Sequence, residues 1–339
     1  MILVTGATGF VGSHLVESLR GAEPLRALAR PESDVSALEA AGVEIVRGDI
    51  RDPDAARRAV RGCRVVHHLA ALTSHRGASA RDLLETNVDG TARLAEAALD
   101  AGVERFVFAS AVKVYGIARR GTIDEDTPRD PVSAYGRSKA RAEDLLFGLA
   151  QEQGLPLVVA RLGGMLGAGA VGWLGLFRSI ADGSFRMLGR GRGRYPAADV
   201  DDVAAGLCRC ADVPGIEGRV YNLTADSVTL AELVDAIADA VGGPPRGRPL
   251  PAAPLHAWRV LQRVALSLTG RSLPRFSRVE LFLGDRAFDI SRARRDLGYD
   301  PKTDLRESVA RTALWFRERG LLPAPHVRPG YIRAPWTKH

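Results

Sequence analysis

Apolar residues fall into short runs along the first half of the chain, and the stretches between those runs carry apolar residues at helical spacing. Met1–Val4, Leu25–Ala29, Val43–Val46, Val65–Leu69, Arg105–Ser110 and Leu157–Ala160 read as strands. Val11, Leu15 and Leu19 share one face of a helix after the first run. A second helix starts near Val35, with Ser33 or Asp34 as its cap. Asp52-Pro53 supplies an N-cap and an N1 proline for a third, ending near Val60. Further helices are expected over Thr86–Ala101 and Ala134–Gln153. Strands that alternate with helices predict a parallel sheet covered on both faces, and right-handed crossovers make it doubly wound α/β.

The rhythm breaks after Arg161. Residues 163–194 are glycine-rich and read as loop, Val220–Leu223 as a late strand and Leu230–Val241 as a helix. A Pro/Gly-rich joint covers 242–254, and an apolar stripe through Trp258, Leu261, Ala265 and Leu268 follows at helical spacing. The expected division is a nucleotide-binding domain over 1–165, with 196–212 returning to it. A smaller substrate lobe comes from 166–195 and 213–322, and 323–339 forms an extended tail.

Two motifs carry chemistry. The first, Thr5-Gly6-Ala7-Thr8-Gly9-Phe10-Val11-Gly12, sits where the first strand turns into the first helix. Backbone N–H groups there, at the positive end of the helix, can hold a pyrophosphate. Gly6 permits the tight turn, Gly9 lets the backbone approach phosphate, and Gly12 lets helix and strand pack closely. The second motif is Tyr135-Gly136-Arg137-Ser138-Lys139, in which tyrosine and lysine share a helix face. An ammonium beside the phenol should lower its pKa and let Tyr135 exchange a proton near neutral pH.

Together these motifs make the chain resemble the extended short-chain dehydrogenase/reductase family over roughly residues 1–320. Asp49-Ile50 resembles the family's adenine contact, Leu69-Ala70-Ala71 its loop beneath the cofactor ribose, and Asn87-Val88-Asp89-Gly90-Thr91 its Asn-Val-x-Gly-Thr helix. Arg161-Leu162-Gly163-Gly164 stands before the nicotinamide loop, where members often read Arg-Pro and Leu162 departs from the proline, and Leu297-Gly298-Tyr299-Asp300-Pro301 resembles a late family segment. The resemblance implies that Tyr135 gives or takes the proton while Lys139 tunes it and holds the nicotinamide ribose. It also implies that Gly6, Thr8, Gly9, Phe10, Val11, Gly12, Asp49, Ile50, Leu69, Ala70, Ala71, Asn87, Leu162 and Gly163 line the cofactor.

One departure is consequential. Members carry a catalytic serine or threonine four residues before the tyrosine of a Tyr-Gly pair, and counting back from Tyr115 gives Ala111. Losing one such donor costs ~10²–10³ in rate. Ser110 is next to it, but strand alternation points it to the other face. Ser110 after a local shift, Thr73, Ser74 and Ser133 are the candidate replacements. Cofactor choice follows from the second strand, which ends Leu28-Ala29-Arg30-Pro31. NAD users of this fold place an acid there, whereas Arg30 offers a fork for a 2′-phosphate, so NADP is expected over NAD.

Composition narrows the remainder. The net charge of +7 comes from arginine spread along the chain, without the clustered patch of a nucleic-acid binder. No apolar run is long enough for a membrane helix, and the N-terminus enters a strand directly, so neither an integral span nor a secretory signal is expected. Cys63, Cys208 and Cys210 match no zinc spacing and suggest reduced thiols in a cytoplasm. No metal site is expected. His67-His68 reads as sheet packing and His75 as a solvated loop residue.

The expectation is an NADP(H)-dependent oxidoreductase acting on a carbonyl/alcohol pair of a lipophilic, polyketide- or steroid-like small molecule, with a homodimer left open. Its first alternative is a nucleotide-sugar epimerase or dehydratase. Sugar-nucleotide members often place an arginine seven residues before the aspartate of a Val-x-Asp segment. That count from Asp202 lands on Tyr195, amid Arg190, Arg192 and Arg194. The second alternative, motivated by Ala111, is a catalytically idle NADP-binding regulator.

Overall fold

The computed structural model describes residues 1–73, 78–116, 121–244, 249–251, 261 and 285–323. Its centre is a seven-stranded sheet. Chain order begins with β1 (Ile2–Thr5), β2 (Leu25–Ala29), β3 (Glu44–Arg47), β4 (Val65–His68) and β5 (Arg105–Ala111). The short β6 (Thr122–Ile123) leaves this sheet, β7 (Leu157–Leu162) rejoins it, and β8 (Gly164–Leu166) and β9 (Arg194–Asp199) pair apart from it. β10 (Val220–Leu223) completes the order β10-β7-β5-β4-β1-β2-β3, with every described pairing parallel. β1, β4, β5 and β7 are buried along their whole length, as continuous apolar runs in a two-faced parallel sheet must be.

Strand order reverses between β1 and β4, so their carboxyl ends open the crevice in which this fold binds nucleotides. On one face α1 (Phe10–Ser18) packs with Val203, Leu207 and Cys210 of Val200–Asp212. α2 (Ser36–Ala40) packs on this same face through Leu38, and on the other lie α3 (Pro53–Val60), α4 (Ala80–Leu84), α5 (Gly90–Asp100) and α6 (Ala134–Gln153), of which α3, α5 and α6 share a core with Leu3, Val66 and Phe106. α4 opens with a capping box between Ser79 and Asp82 and joins α5 through a π-helical turn, Glu85–Asp89. The expected helix over Thr86–Ala101 is thus the second half of a longer one. Its extra residue per turn escapes a 3.6-residue pattern.

The chain divides into two compact units. The first is residues 1–166, 193–228 and 283–304; the second is 167–192, 229–282 and 305–339. Residues 213–228 and 285–304, expected in the smaller lobe, belong with the sheet, because β10 pairs with β7 and Ala293 and Leu297 join the core around Leu223. In the second unit Leu174–Ala181, Leu230–Val241 and Leu305–Glu318 pack together, with Phe177 and Phe316 edge to face at 5.3 Å. The first of these helices, and β8 in the other unit, lie in the stretch read as loop from its glycines. Buried Phe177 and Ile180 fix the helix by packing rather than by propensity. Of the stripe around Trp258 only Leu261 is described, and it is exposed; Trp258, Ala265, Leu268, Ser74, His75 and the tail beyond Pro323 lie outside the described residues.

His67 is fully buried in β4, and neither ring nitrogen has a hydrogen-bond partner. An unsatisfied buried polar group costs ~1–3 kcal/mol, so His67→Leu is expected to raise stability at pH 7.5 by about 1–2 kcal/mol. Urea denaturation measures it, and a loss of similar size would show that the imidazole contributes. All three cysteines are free, and no metal-binding cluster or membrane-length apolar helix occurs among the described residues.

Candidate active site

The glycine turn is built by backbone contact. Gly6 has φ 72°, and a Cβ there would come within 2.8 Å of Ala70 N and 2.9 Å of Leu69 C. A Cβ on Gly12 would lie 2.1 Å from Gly6 O. No other residue lets the turn, α1 and the loop of Leu69, Ala70 and Ala71 meet this closely. Thr8 and Gly9 are exposed, and the N–H groups at the start of α1, including those of Phe10, Val11 and Gly12, have no intrahelical acceptor. Such a cradle fits a dinucleotide pyrophosphate.

At the other end of the crevice, exposed Arg30 follows β2, its Nη1 3.1 Å from Glu32 Oε1. Arg47 Nη1 donates to the carbonyls of Arg30, Pro31 and Ser33 and props the loop. Arg51 donates from Nε and Nη2 to Asp49, 2.9 Å each, and holds that carboxyl below its usual range, with Arg30 adding to the effect. Asp49, expected to meet adenine, is already paired. Ile50, expected beside it, is buried under α5, where a Cβ on Gly90 would come 2.8 Å from Ile50 Cγ1. Arg51 was missed, and the Asp-x-Arg spacing is the signal that could have found it.

Between the cradle and α6 runs an oriented chain of hydrogen bonds. Ala70 N donates to Thr5 Oγ1, which bonds His68 Nδ1 at 2.7 Å, and His68 Nε2 bonds Thr91 Oγ1 at 2.8 Å. Thr91 Oγ1 donates to Asn87 O, so it accepts from Nε2–H, and His68 is neutral with its proton on Nε2. Asn87 donates from Nδ2 to Leu72 O and Ser138 Oγ and accepts Leu72 N–H, and Ser138 donates to Tyr135 O. The Asn87 carboxamide, expected to touch the cofactor, is thus committed within the protein and ties the loop after β4 to the helix of Tyr135. His68 has a structural task that the packing expectation omitted.

Ser133 caps α6 by accepting Gly136 N–H at 2.9 Å. Tyr135 is half-buried one residue earlier, and burial pushes its phenol up to about 12. Lys139 lies 4.4 Å from the Phe108 ring centroid, and burial pulls its ammonium down to about 7, against an upward pull from Glu143. The expected lowering of Tyr135 by Lys139 is therefore not what the fold produces. Both groups are desolvated, which favours neutral phenol and neutral amine.

Ala111 ends β5 in extended conformation, and the turn Val112–Tyr115 follows it directly. Ser110 donates to Glu143 Oε1 at 2.5 Å, and Glu143 also receives Arg161 and Arg129 at 2.7 and 3.1 Å. That removes Ser110 as a substitute donor. Leu162 closes β7 and Gly163 follows it, where a Cβ would come 2.4 Å from Thr224 Oγ1, a buried hydroxyl without a hydrogen-bond partner. Thr224 and Lys113 are polar groups of this sheet edge that no motif singles out.

The model for the NAD dependent epimerase/dehydratase family matches residues 2–224. Over 335 residues the chain is 33% identical to "Sterol demethylase protein B" of Methylococcus capsulatus, covering 94% of this chain and 99% of that protein. It is 32% identical over 319 residues to a 4-hydroxy-2-methyl-3-oxo-4-farnesyl-3,4-dihydroquinoline-1-oxide ketoreductase of Stigmatella aurantiaca, covering 87% of this chain and 90% of the other. Among solved structures, MoeE5 in complex with UDP-glucose and NAD superposes with a TM-score of 0.72 at 28% identity, over 94% of this chain and 99% of that one.

Proposed function

The chain belongs to the NAD-dependent epimerase/dehydratase family of extended short-chain dehydrogenase/reductases, whose members are nicotinamide-dependent enzymes. On that premise we propose that it is an NADP(H)-dependent oxidoreductase of a ketone/alcohol pair on a lipophilic ring substrate. The observation that carries the reading is the placement of Tyr135 on α6, tied through Ser138 and Asn87 to the loop packed on Gly6. When bound, the nicotinamide supplies or receives the hydride.

The chain's own residues do the rest. The N–H groups at the start of α1 hold the pyrophosphate, and the backbone of Leu69, Ala70 and Ala71 lies under the adjoining ribose. Lys139 holds the nicotinamide ribose, and Leu162 and Gly163 line the nicotinamide end. Tyr135, protonated at neutral pH, gives its proton to the carbonyl oxygen in the direction of reduction. The lipophilic substrate class draws support from the sterol and farnesyl-quinoline relatives. The epimerase alternative draws on the UDP-glucose complex of MoeE5, but Tyr195 stands where a diphosphate-binding arginine is expected.

Arg30, at the end of β2 with no acid at Ala29, favours the 2′-phosphate of NADP. NADPH should bind more tightly than NADH, and Arg30→Ala should remove most of the difference, about 1.5–3 kcal/mol for hydrogen bonds to a charged group. Titration of both cofactors, followed by NADPH oxidation with 5α-cholestan-3-one, tests the whole reading. Equal affinities in the parent overturn the cofactor assignment. Turnover of UDP-glucose with none of the ketosteroid overturns the substrate class.

A further inference from the structure

The reaction needs a second donor beside Tyr135, and the strand end that should supply it carries Ala111. The turn after Ala111 offers one. Lys113 lies two residues on, is exposed, and places Nζ 5.8 Å from the centroid of the Tyr135 ring. Its backbone is locked against the start of α6, since a Cβ on Gly136 would come 2.7 Å from Lys113 O. Gly136, the residue after Tyr135, is what lets the turn and the helix close on each other. Two of the other candidates are committed elsewhere. Ser110 is bonded to Glu143 on the opposite face, and Ser133 is the cap of α6.

We propose that Lys113 is a catalytic residue of this enzyme, its ammonium donating a hydrogen bond to the substrate carbonyl oxygen in place of the hydroxyl absent at Ala111. The inference rests on the oxidoreductase reading above. As hydride adds to the carbonyl carbon, the π pair moves to oxygen and Tyr135 passes its proton to that oxygen. Ketone, NADPH and one proton from solvent become alcohol and NADP⁺, and Lys113 keeps its proton throughout. A cation on a flexible stem reaches further than a serine hydroxyl, which suits a donor mounted two residues past the strand end. A charged donor also makes a stronger hydrogen bond than a neutral one.

Two measurements test this. The first needs neither cofactor nor substrate. Replacing Tyr135 with 3,5-difluorotyrosine brings its titration into a range where the fold is stable, and 19F NMR follows it. Lys113→Met should raise the midpoint by about half to one pH unit, the effect of removing a charge roughly 6 Å away, while Lys113→Arg should leave it near the parent value; Lys139 is retained in every variant. The second is NADPH oxidation with 5α-cholestan-3-one. Lys113→Met should lower kcat by ~10²–10³ with NADPH affinity unchanged. Ala111→Ser should restore most of that loss in the Lys113→Met background and add little to the parent.

A midpoint that ignores Lys113→Met, or a kcat that survives it while Tyr135→Phe abolishes turnover, overturns the role of Lys113 and leaves the oxidoreductase reading intact. Absence of ketosteroid turnover in the parent counts against the substrate class alone, and the fluorotyrosine titration then decides on Lys113.

Discussion

Tyr135→Phe is expected to lower turnover of a ketone by ~10²–10⁴, the range for loss of a general acid, while NADPH affinity stays within a few-fold of the parent. The removed atom is one hydroxyl on a half-buried ring, and nothing in the pyrophosphate cradle depends on it. Ser138 reaches the Tyr135 carbonyl rather than its hydroxyl, so the hydrogen-bond chain to Asn87 survives the change. Because burial keeps the phenol protonated far above neutrality, the parent should reduce ketones without a rate limit from Tyr135 ionisation between pH 6 and 8. Stopped-flow NADPH oxidation and a cofactor titration on the two proteins measure both quantities. A variant with parental turnover would place the proton chemistry on another residue.

Acid should destabilise the fold well before its carboxylates protonate. His67 and His68 are buried, and burial pulls them from 6.5 to about 4 and about 3, with the Lys139 charge adding to the depression at His68. Both are neutral when folded and take up protons at about 6.5 when unfolded. Their contribution is therefore complete above pH 6.5 and is lost as pH falls from there toward 4 and then 3. Over most of that window the unfolded chain binds up to two more protons, a slope approaching about 2.7 kcal/mol per pH unit. Unfolding free energy should be about 2.5–3 kcal/mol lower at pH 5.5 than at 7.5, and His67→Leu should halve that difference. Urea denaturation at the two pH values measures it, and a flat profile would mean that water reaches the rings.

The two effects have one origin. The path from the glycine turn to Tyr135 runs through neutral His68, and an imidazolium there could not accept from Thr5 Oγ1 at Nδ1. Acid that protonates His68 would break the chain that orders the loop after β4 against α6. The low dielectric that makes His68 costly to charge also raises the phenol of Tyr135 and lowers the ammonium of Lys139.

The sequence by itself determined the doubly wound sheet, because strand and helix periods are local properties. Runs such as Met1–Val4 and Val65–Leu69 can be satisfied only inside a two-faced parallel sheet. The glycine turn was legible for the same reason, since the φ of Gly6 and the close packing at Gly12 are steric demands of the turn itself. Tyr135 and Lys139 were legible as a helical pair, but their protonation was not, because desolvation depends on what the rest of the chain packs around them. Only the tertiary structure decided that Ser110 belongs to Glu143, thirty-three residues away, and that Asn87 is consumed by Leu72 and Ser138. It also set Lys113 over the ring of Tyr135. Most of these partners are far apart in sequence, and a hydrogen bond between them exists only once the strands and helices that carry them have met.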